Sequence, residues 1–333
     1  MQIDPQEQWR LLIGGDGVAT SDTYEVVDPS TTSVVGHAPE ATVADAEAAI
    51  AAANQALPGW RSTPMADRCA LLGRLSDILA ERSGDWASLV QAETGATMKI
   101  AQTLQLGGTF VDRFRYYARP RDLDVAEKPM PAGASALGPA GLVGAVVHRQ
   151  PVGVVACITP CNFPLVNVAG KIAPALTMGN TCIIKPAPQD PLGILRLGEA
   201  ITDAGFPPGV VNVLTSSGPE VPAALVASPG VNMVSFTGSS AIGAAIYANG
   251  AATMTRVLME LGGMGALVMT DDADVNAAVQ AIASVWGFHS GQICTAPTRV
   301  ICHRSLYDQL VSTLEAVSGM LKVGDPLDRS EEH

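Results

Sequence analysis

The spacing of apolar positions changes character near residue 151. Before that point it is mostly helical. Residues 21–40 read as short strands and turns, with Tyr24-Glu25-Val26-Val27 followed by Asp28-Pro29-Ser30. Thr42 with Asp45 three residues on forms a capping box and predicts an Ala-rich helix to Pro58. Thr63-Pro64 predicts a second helix start, with Leu71, Leu72, Leu75, Ile78 and Leu79 on one face. A helix over 83–95 and a longer, less regular one over 97–118 follow. Residues 119–140, rich in Pro, Gly and Ala, read as a connector, and 142–150 as an exposed hairpin or arm.

From Pro151 continuous apolar runs take over. Residues 152–158, 181–185, 210–214 and 231–236 read as buried strands, separated by helix patterns at 163–177, 191–204 and 218–227. Asp190-Pro191 predicts an N-cap and first helical residue, and Gly205 a helix stop. Alternating strands and helices at this spacing predict an α/β fold with a doubly wound parallel sheet. After Gly263 a smaller α/β unit begins: a strand over 265–270, a helix over 274–284, a cysteine-bearing loop and a strand over 299–303. A last helix, capped by Ser305 with Asp308, ends near Gly319.

Composition narrows the classes of function. The 333 residues are 47% hydrophobic and 16% charged, enough for two globular domains. The low aromatic content, with Ala, Gly and Val in its place, suits parallel α/β cores. A net charge of −12 disfavours nonspecific binding to nucleic acid or an anionic membrane. The N-terminus is polar and acidic, no apolar run reaches membrane-spanning length, and the six cysteines have no zinc-site spacing. A cytoplasmic location with reduced thiols is the expectation.

Several positions then bear on chemistry. Phe236-Thr237-Gly238-Ser239 leads from a strand into a helix without the Gly-x-Gly-x-x-Gly pattern, and reads as a phosphate-binding turn or a plain tight turn. Lys185 ends a buried strand, on the ligand side of an α/β sheet or as a snorkelling edge lysine. Asn162 is a candidate oxyanion donor or an Asx-turn residue. Glu260 interrupts an apolar run, which fits a functional carboxylate or a strand end facing solvent. Cys294 sits in Gly291-Gln292-Ile293-Cys294 rather than in an apolar stripe, as a nucleophile or an inert thiol. A thiol and a carboxylate in this arrangement support covalent chemistry on a carbonyl carbon.

In combination these segments resemble the NAD(P)-dependent aldehyde dehydrogenase superfamily along essentially the whole chain. The resemblance rests on residues 151–155, 159–164, 171–176, 179–181 and 185–187, with Phe236-Thr237-Gly238-Ser239, Glu260-Leu261-Gly262-Gly263 and Gly291-Gln292-Ile293-Cys294. It implies a Rossmann-like cofactor domain over 1–130 and 151–262, a connector and oligomerisation arm over 131–150, and the start of a catalytic domain over 263–333. Cys294 would be the nucleophile, forming a thiohemiacetal and then a thioester. Asn162 with the Cys294 N–H would form the oxyanion hole, and Glu260 would activate the hydrolytic water. Lys185 would contact the adenosine ribose, and Gly238 with Ser239 the pyrophosphate. Ile158, Thr159, Pro160 and Gly218 would also bind the cofactor. Phe236, Thr237, Ile242, Leu261 and Gly262 would line the rest.

NAD or NADP, a small-molecule aldehyde and homo-oligomerisation follow from the same resemblance, with no metal. Glu260 argues against transfer of the acyl group to CoA. A noncatalytic homologue retaining nucleotide binding or subunit contacts is the alternative. Departures from the family pattern are Cys161 in place of a common Trp, and Pro188 in place of the acid that holds the ribose diol. The smaller Asn167 and Gly170 imply a wider substrate tunnel. Relatives continue past the 322–326 segment into a Glu-x-Phe-Gly-Pro motif that binds the nicotinamide ribose. The expectation is therefore a truncated reading frame or gene fragment with little activity of its own.

Overall fold

The structure, a computed structural model, describes residues 3–119 and 145–328, together with three short strands between them. The N-terminal part comprises β1 (Leu11–Ile13), β2 (Asp16–Val18), β3 (Thr23–Val27) and β4 (Val34–Pro39). Helices α1 (Val43–Ser62), α2 (Met65–Arg82), α3 (Ala87–Thr94), α4 (Met98–Ile100) and α5 (Gly108–Tyr117) follow, with a π-turn at Ala101–Gln105 that makes the last stretch irregular, as expected. The short strands β5 (Ala126–Glu127), β6 (Ala132–Gly133), β7 (Leu142–Val143) and β8 (Val147–His148) pair antiparallel as β5 with β8 and β6 with β7. Most of the expected connector lies outside the described residues.

The second half alternates β9 (Val154–Ile158), α6 (Pro164–Thr177), β10 (Thr181–Lys185), α7 (Leu192–Asp203), β11 (Val211–Val213), α8 (Glu220–Ala227), β12 (Met233–Gly238), α9 (Ser240–Gly250) and β13 (Arg256–Leu261). The sheet order is β13-β12-β9-β10-β11-β1-β2, with β9 to β13 mutually parallel and β1 and β2 antiparallel at one edge. Strand order reverses between β9 and β12. That switch point is where doubly wound sheets open a ligand crevice beyond their carboxyl ends. Strands β1 and β2 escape the periodicity because each has only three residues.

Both faces of the sheet are buried, which is why the central strands read as unbroken apolar runs. One face packs on α2, α5, α6 and α7 through Leu72, Phe110, Leu165, Ile172 and Leu176. The other packs on α1 and α8 through Ala49, Ile183, Leu225 and Phe236. Gly153 precedes β9 at φ +126, where the Asn232 side chain approaches its Cα side and accepts the Val154 N–H at 2.8 Å. A side chain at 153 would displace that contact.

Two helix ends differ from the periodicity. The capping box of Thr42 and Asp45 is present, but α1 runs through Pro58 to Ser62. Its continuation buries Trp60 against Phe206, with ring centroids 5.7 Å apart, and that packing offsets the proline's cost. Ser305 does not cap the last helix. The His303 ring instead accepts the Ser305 N–H and opens a short turn before α11 (Tyr307–Ser318).

Beyond β13 lie β14 (Gly265–Met269), α10 (Val275–Trp286), β15 (Pro297–Cys302) and α11. β14 and β15 form a separate parallel pair covered on one face by α10 and α11 through Met269, Val279, Ile282 and Leu310. The other face leaves Val268 68% and Ile301 54% exposed. This small core predicts amide exchange over 265–318 much faster than in β9, β10 and β12, measured by hydrogen–deuterium exchange. Equal protection of the two regions would contradict it.

Candidate active site

The sequence-predicted positions gather at the carboxyl ends of the parallel strands. Ile158 closes β9 and leads into Thr159 and Pro160, Lys185 closes β10, and Gly218 lies in the turn after β11. Phe236, Thr237 and Gly238 end β12, and Ser239 caps α9 by accepting the Ile242 N–H at 3.3 Å. Glu260 and Leu261 end β13, with Thr237 opposite Glu260 and Gly238 opposite Leu261 in register. Ser239 and Ile242 are exposed, so the first turn of α9 faces the crevice with the positive end of its dipole.

The cysteine loop joins this rim from the other side. Cys294 is exposed, whereas Cys69, Cys157 and Cys182 are buried and Cys161 and Cys302 half-buried. Gly263, just past β13, lies against the Cys294 carbonyl: a Cβ there would be 3.9 Å from the oxygen. Asn162 faces the same loop and donates from Nδ2 to the Gln292 carbonyl at 2.8 Å, while its Oδ1 accepts the Phe163 N–H at 3.0 Å. An amide nitrogen carries two N–H groups, and this bond uses one. Glu260 is solvent-exposed on the edge strand, and acts electrostatically on Lys171, whose Nζ lies 3.1 Å from Ser235 Oγ. A pocket of about 450 Å³ beside the loop is lined by Trp286, Ser290, Gln292, Gly95 and Val323.

Lys185 is buried and donates to the Pro186 carbonyl at 2.7 Å. Burial pushes its ammonium down to about 8, against the pull of Glu40 and Asp190. The predicted capping role of Asp190 is not observed. The first free N–H groups of α7, at Leu192 and Gly193, are taken by the Glu93 carboxylate from α3 at 2.8 and 2.9 Å. Asp190 is fully buried instead, with no hydrogen-bond partner for either carboxylate oxygen, and burial, then Glu93 and Cys161, push its acidity range well up. Burial likewise raises Glu93 to about 8, although the two N–H donors oppose the shift.

The sign of the resulting pH effect follows from linkage. Glu93 binds a proton in the folded state that the unfolded chain releases near 4.5, so its stabilising contribution is full below that pH and is lost as pH rises through about 8. The melting-temperature difference between the parent and Glu93→Gln, measured from pH 5 to 9, is expected to shift in favour of the variant as pH rises. A constant difference would rule out Glu93 as the source.

Sequence reasoning missed Glu93, Gln105 and His289, all of which reach this region. Gln105 Nε2 and His289 Nε2 both bond to the Asn162 carbonyl, at 3.1 and 2.7 Å. His289 carried a readable signal, since it lies in the loop that leads to Cys294. Glu93 and Gln105 gave none, because their partners lie far along the chain.

The site is thus a doubly wound parallel sheet with a cysteine loop and a carboxylate at its carboxyl rim. The aldehyde dehydrogenase family profile matches residues 18–333, and the chain belongs to that family. The mitochondrial aldehyde dehydrogenase of Leishmania tarentolae is 38% identical over 320 residues, covering 95% of this chain and 62% of that protein. Among solved structures, PnpE in complex with nicotinamide adenine dinucleotide superposes with a TM-score of 0.90 at 35% identity, covering 98% of this chain and 66% of that one. An E. coli NADP-dependent enzyme superposes equally well, with a TM-score of 0.90 at 30% identity over 98% of this chain and 66% of that one. The chain thus spans slightly under two thirds of the length of these relatives.

Proposed function

We propose that the chain carries the cofactor-binding and nucleophile-bearing parts of an NAD(P)-dependent aldehyde dehydrogenase that oxidises a small-molecule aldehyde to the carboxylic acid. The observation that carries this reading is the convergence of three segments at the sheet's carboxyl rim. The Asn162 amide bonds to the Cys294 loop at Gln292, and Gly263, in the turn after Glu260, faces the Cys294 carbonyl. Residues 1–130 and 151–262 form the cofactor domain, 131–150 the connector and arm, and 263–333 the start of the catalytic domain. Free cysteines fit a reducing, cytoplasmic location, and homo-oligomerisation belongs to the same reading.

The rim fits a dinucleotide. Thr159 Oγ1 is buried just after β9 without a hydrogen-bond partner among the described residues, and the exposed N-terminus of α9 suits a pyrophosphate. Lys185 would hold the adenosine ribose, with Gly238 and Ser239 on the phosphates and Leu261 and Gly262 toward the nicotinamide. When bound, NAD(P)+ supplies the hydride acceptor. The Cys294 thiolate attacks the aldehyde carbon while the developing oxyanion is met by Asn162 Nδ2–H and the Cys294 N–H. Cys294 holds the carbon first as a thiohemiacetal and, after oxidation, as a thioester. Glu260 removes a proton from the water that hydrolyses it.

Cofactor titration is the direct test. The side chain of Pro188 offers no acceptor to a ribose 2′-OH and does not repel a 2′-phosphate, which Lys185 favours. NAD and NADP are therefore expected to bind with comparable affinities, read by fluorescence of the reduced forms. A preference for NAD above about two orders of magnitude, near 2.7 kcal/mol, would sink that expectation. Absence of binding to both would overturn the functional reading.

The exposed outer face of β14 and β15 favours a second reading, nucleotide binding without turnover. NAD(P)H formation from an aldehyde at about 1 s⁻¹ or faster would discard it.

A further inference from the structure

We infer that His289 is a positioning residue, one that clamps the main chain of Asn162 so that its amide is held over the Cys294 loop. This rests on the reading of Asn162 and Cys294 given above and adds to it a residue outside the motif that carries the thiol.

His289 is buried, with 2% of its surface exposed, although it lies in a loop whose neighbours Gln292 and Cys294 are open to solvent. It enters the interior at φ 50 and ψ 42, and Ser290 follows at φ 54 and Gly291 at φ 71. Consecutive left-handed residues other than glycine persist only where the surroundings hold them. What holds His289 is specific. Its Nε2 bonds to the Asn162 carbonyl at 2.7 Å, and its ring lies 4.8 Å from that of Phe163, the residue after Asn162. Because a carbonyl only accepts, Nε2 carries the hydrogen. Burial lowers the imidazole's tendency to take a second proton, so the neutral ring is the donor at physiological pH.

The Asn162 carbonyl accepts a second hydrogen bond. Gln105, in the π-turn between α4 and α5, donates to it from Nε2 at 3.1 Å. With the Asn162 carbonyl held by two donors, the Asn162 side chain closes the circuit by donating to the Gln292 carbonyl, three residues after His289 in the same loop. His289 and Gln292 thus grip Asn162 from one loop, through its main chain and side chain respectively. A donor aimed at a developing oxyanion contributes only if it is fixed before the charge forms. Loss of the His289 bond should therefore weaken attack on carbonyls more than it weakens the thiol's reactivity in general.

Two reactions of the same sulfur separate these effects. Acylation by p-nitrophenyl acetate passes through a tetrahedral oxyanion, whereas alkylation by iodoacetamide is a displacement at saturated carbon and develops none. Both rates are measured on the full chain, with peptide mapping to place the modification. In His289→Leu, which keeps an apolar side chain of similar size without the N–H donor, acylation is expected to fall tenfold or more while alkylation changes less than threefold. His289→Gln, which can present an N–H at the position of Nε2, should recover most of the acylation rate. Gln105→Leu, which leaves the strained loop untouched, should produce the same selective loss in smaller degree. Equal loss in both reactions for the His289→Leu and Gln105→Leu variants, or no loss in either, would overturn the inference while leaving the functional reading in place. Acylation of the parent chain at a residue other than Cys294 would overturn the functional reading and the inference with it.

Discussion

Cys294→Ala is expected to abolish rapid modification by a limiting electrophile and to lower turnover of aldehydes or activated esters by more than about a thousandfold, because the thiol that forms the covalent intermediate is removed. Exposure and reactivity point the same way here. Cys294 is the exposed thiol in the chain, and a thiolate must be reachable to act. In the parent chain, peptide mapping after substoichiometric labelling should find Cys294 first, ahead of the half-buried Cys161 and Cys302. The fold should survive the substitution, since an exposed loop residue contributes little to packing. Labelling that begins at Cys161 or Cys302, or turnover retained in the alanine variant, would remove Cys294 from the mechanism.

The second large effect concerns Glu260. With p-nitrophenyl acetate, the first turnover reports acylation of the thiol and the following steady state reports hydrolysis of the thioester. Glu260→Gln should keep the initial burst near its parent amplitude and slow the steady state by about a hundredfold or more, the range in which a positioned general base acts. The group is exposed at the end of the edge strand β13, so the change should leave stability nearly unaltered. Loss of the burst in proportion to the steady state would assign Glu260 to activation of the thiol instead. The electrostatic link from Glu260 to Lys171 supplies a control: Lys171→Met should alter the steady state less than Glu260→Gln does.

Much of this architecture could be read from the chain. The runs Val154–Ile158 and Thr181–Lys185 are strands where their apolar continuity placed them, and α6 and α7 start and stop within a residue or two of expectation. Local chemistry explains the success. Continuous apolar residues need burial on both faces, which a parallel sheet flanked by helices provides. The Thr42 and Asp45 capping box satisfies backbone groups within four residues and depends on nothing distant. The family was legible for a related reason: covalent chemistry on a carbonyl needs particular residue types in short, contiguous loops, and those loops stand in the sequence as motifs.

The errors share an opposite cause. Asp190 looked like a cap because it precedes a proline and a helix, but Glu93 reached the helix terminus first, from another helix. Pro58 looked like a stop, but burial of Trp60 carried the helix past it. β1 and β2 were invisible because a three-residue strand has no period of its own and exists only through its partner's hydrogen bonds.

By itself, then, the sequence determined the order of strands and helices from β9 to β13, the burial of the central sheet, the family and the candidate reactive groups, because each depends on neighbours along the chain. The tertiary structure decided the order of strands across the sheet and the switch point that opens the crevice. It also decided that the loops of Asn162, Glu260 and Cys294 meet there, that Gln105 and His289 hold Asn162, and that Glu93 caps α7. These are contacts between residues far apart in the chain. They are made only when burial of the two sheet faces fixes the elements against one another, and no local pattern records the outcome.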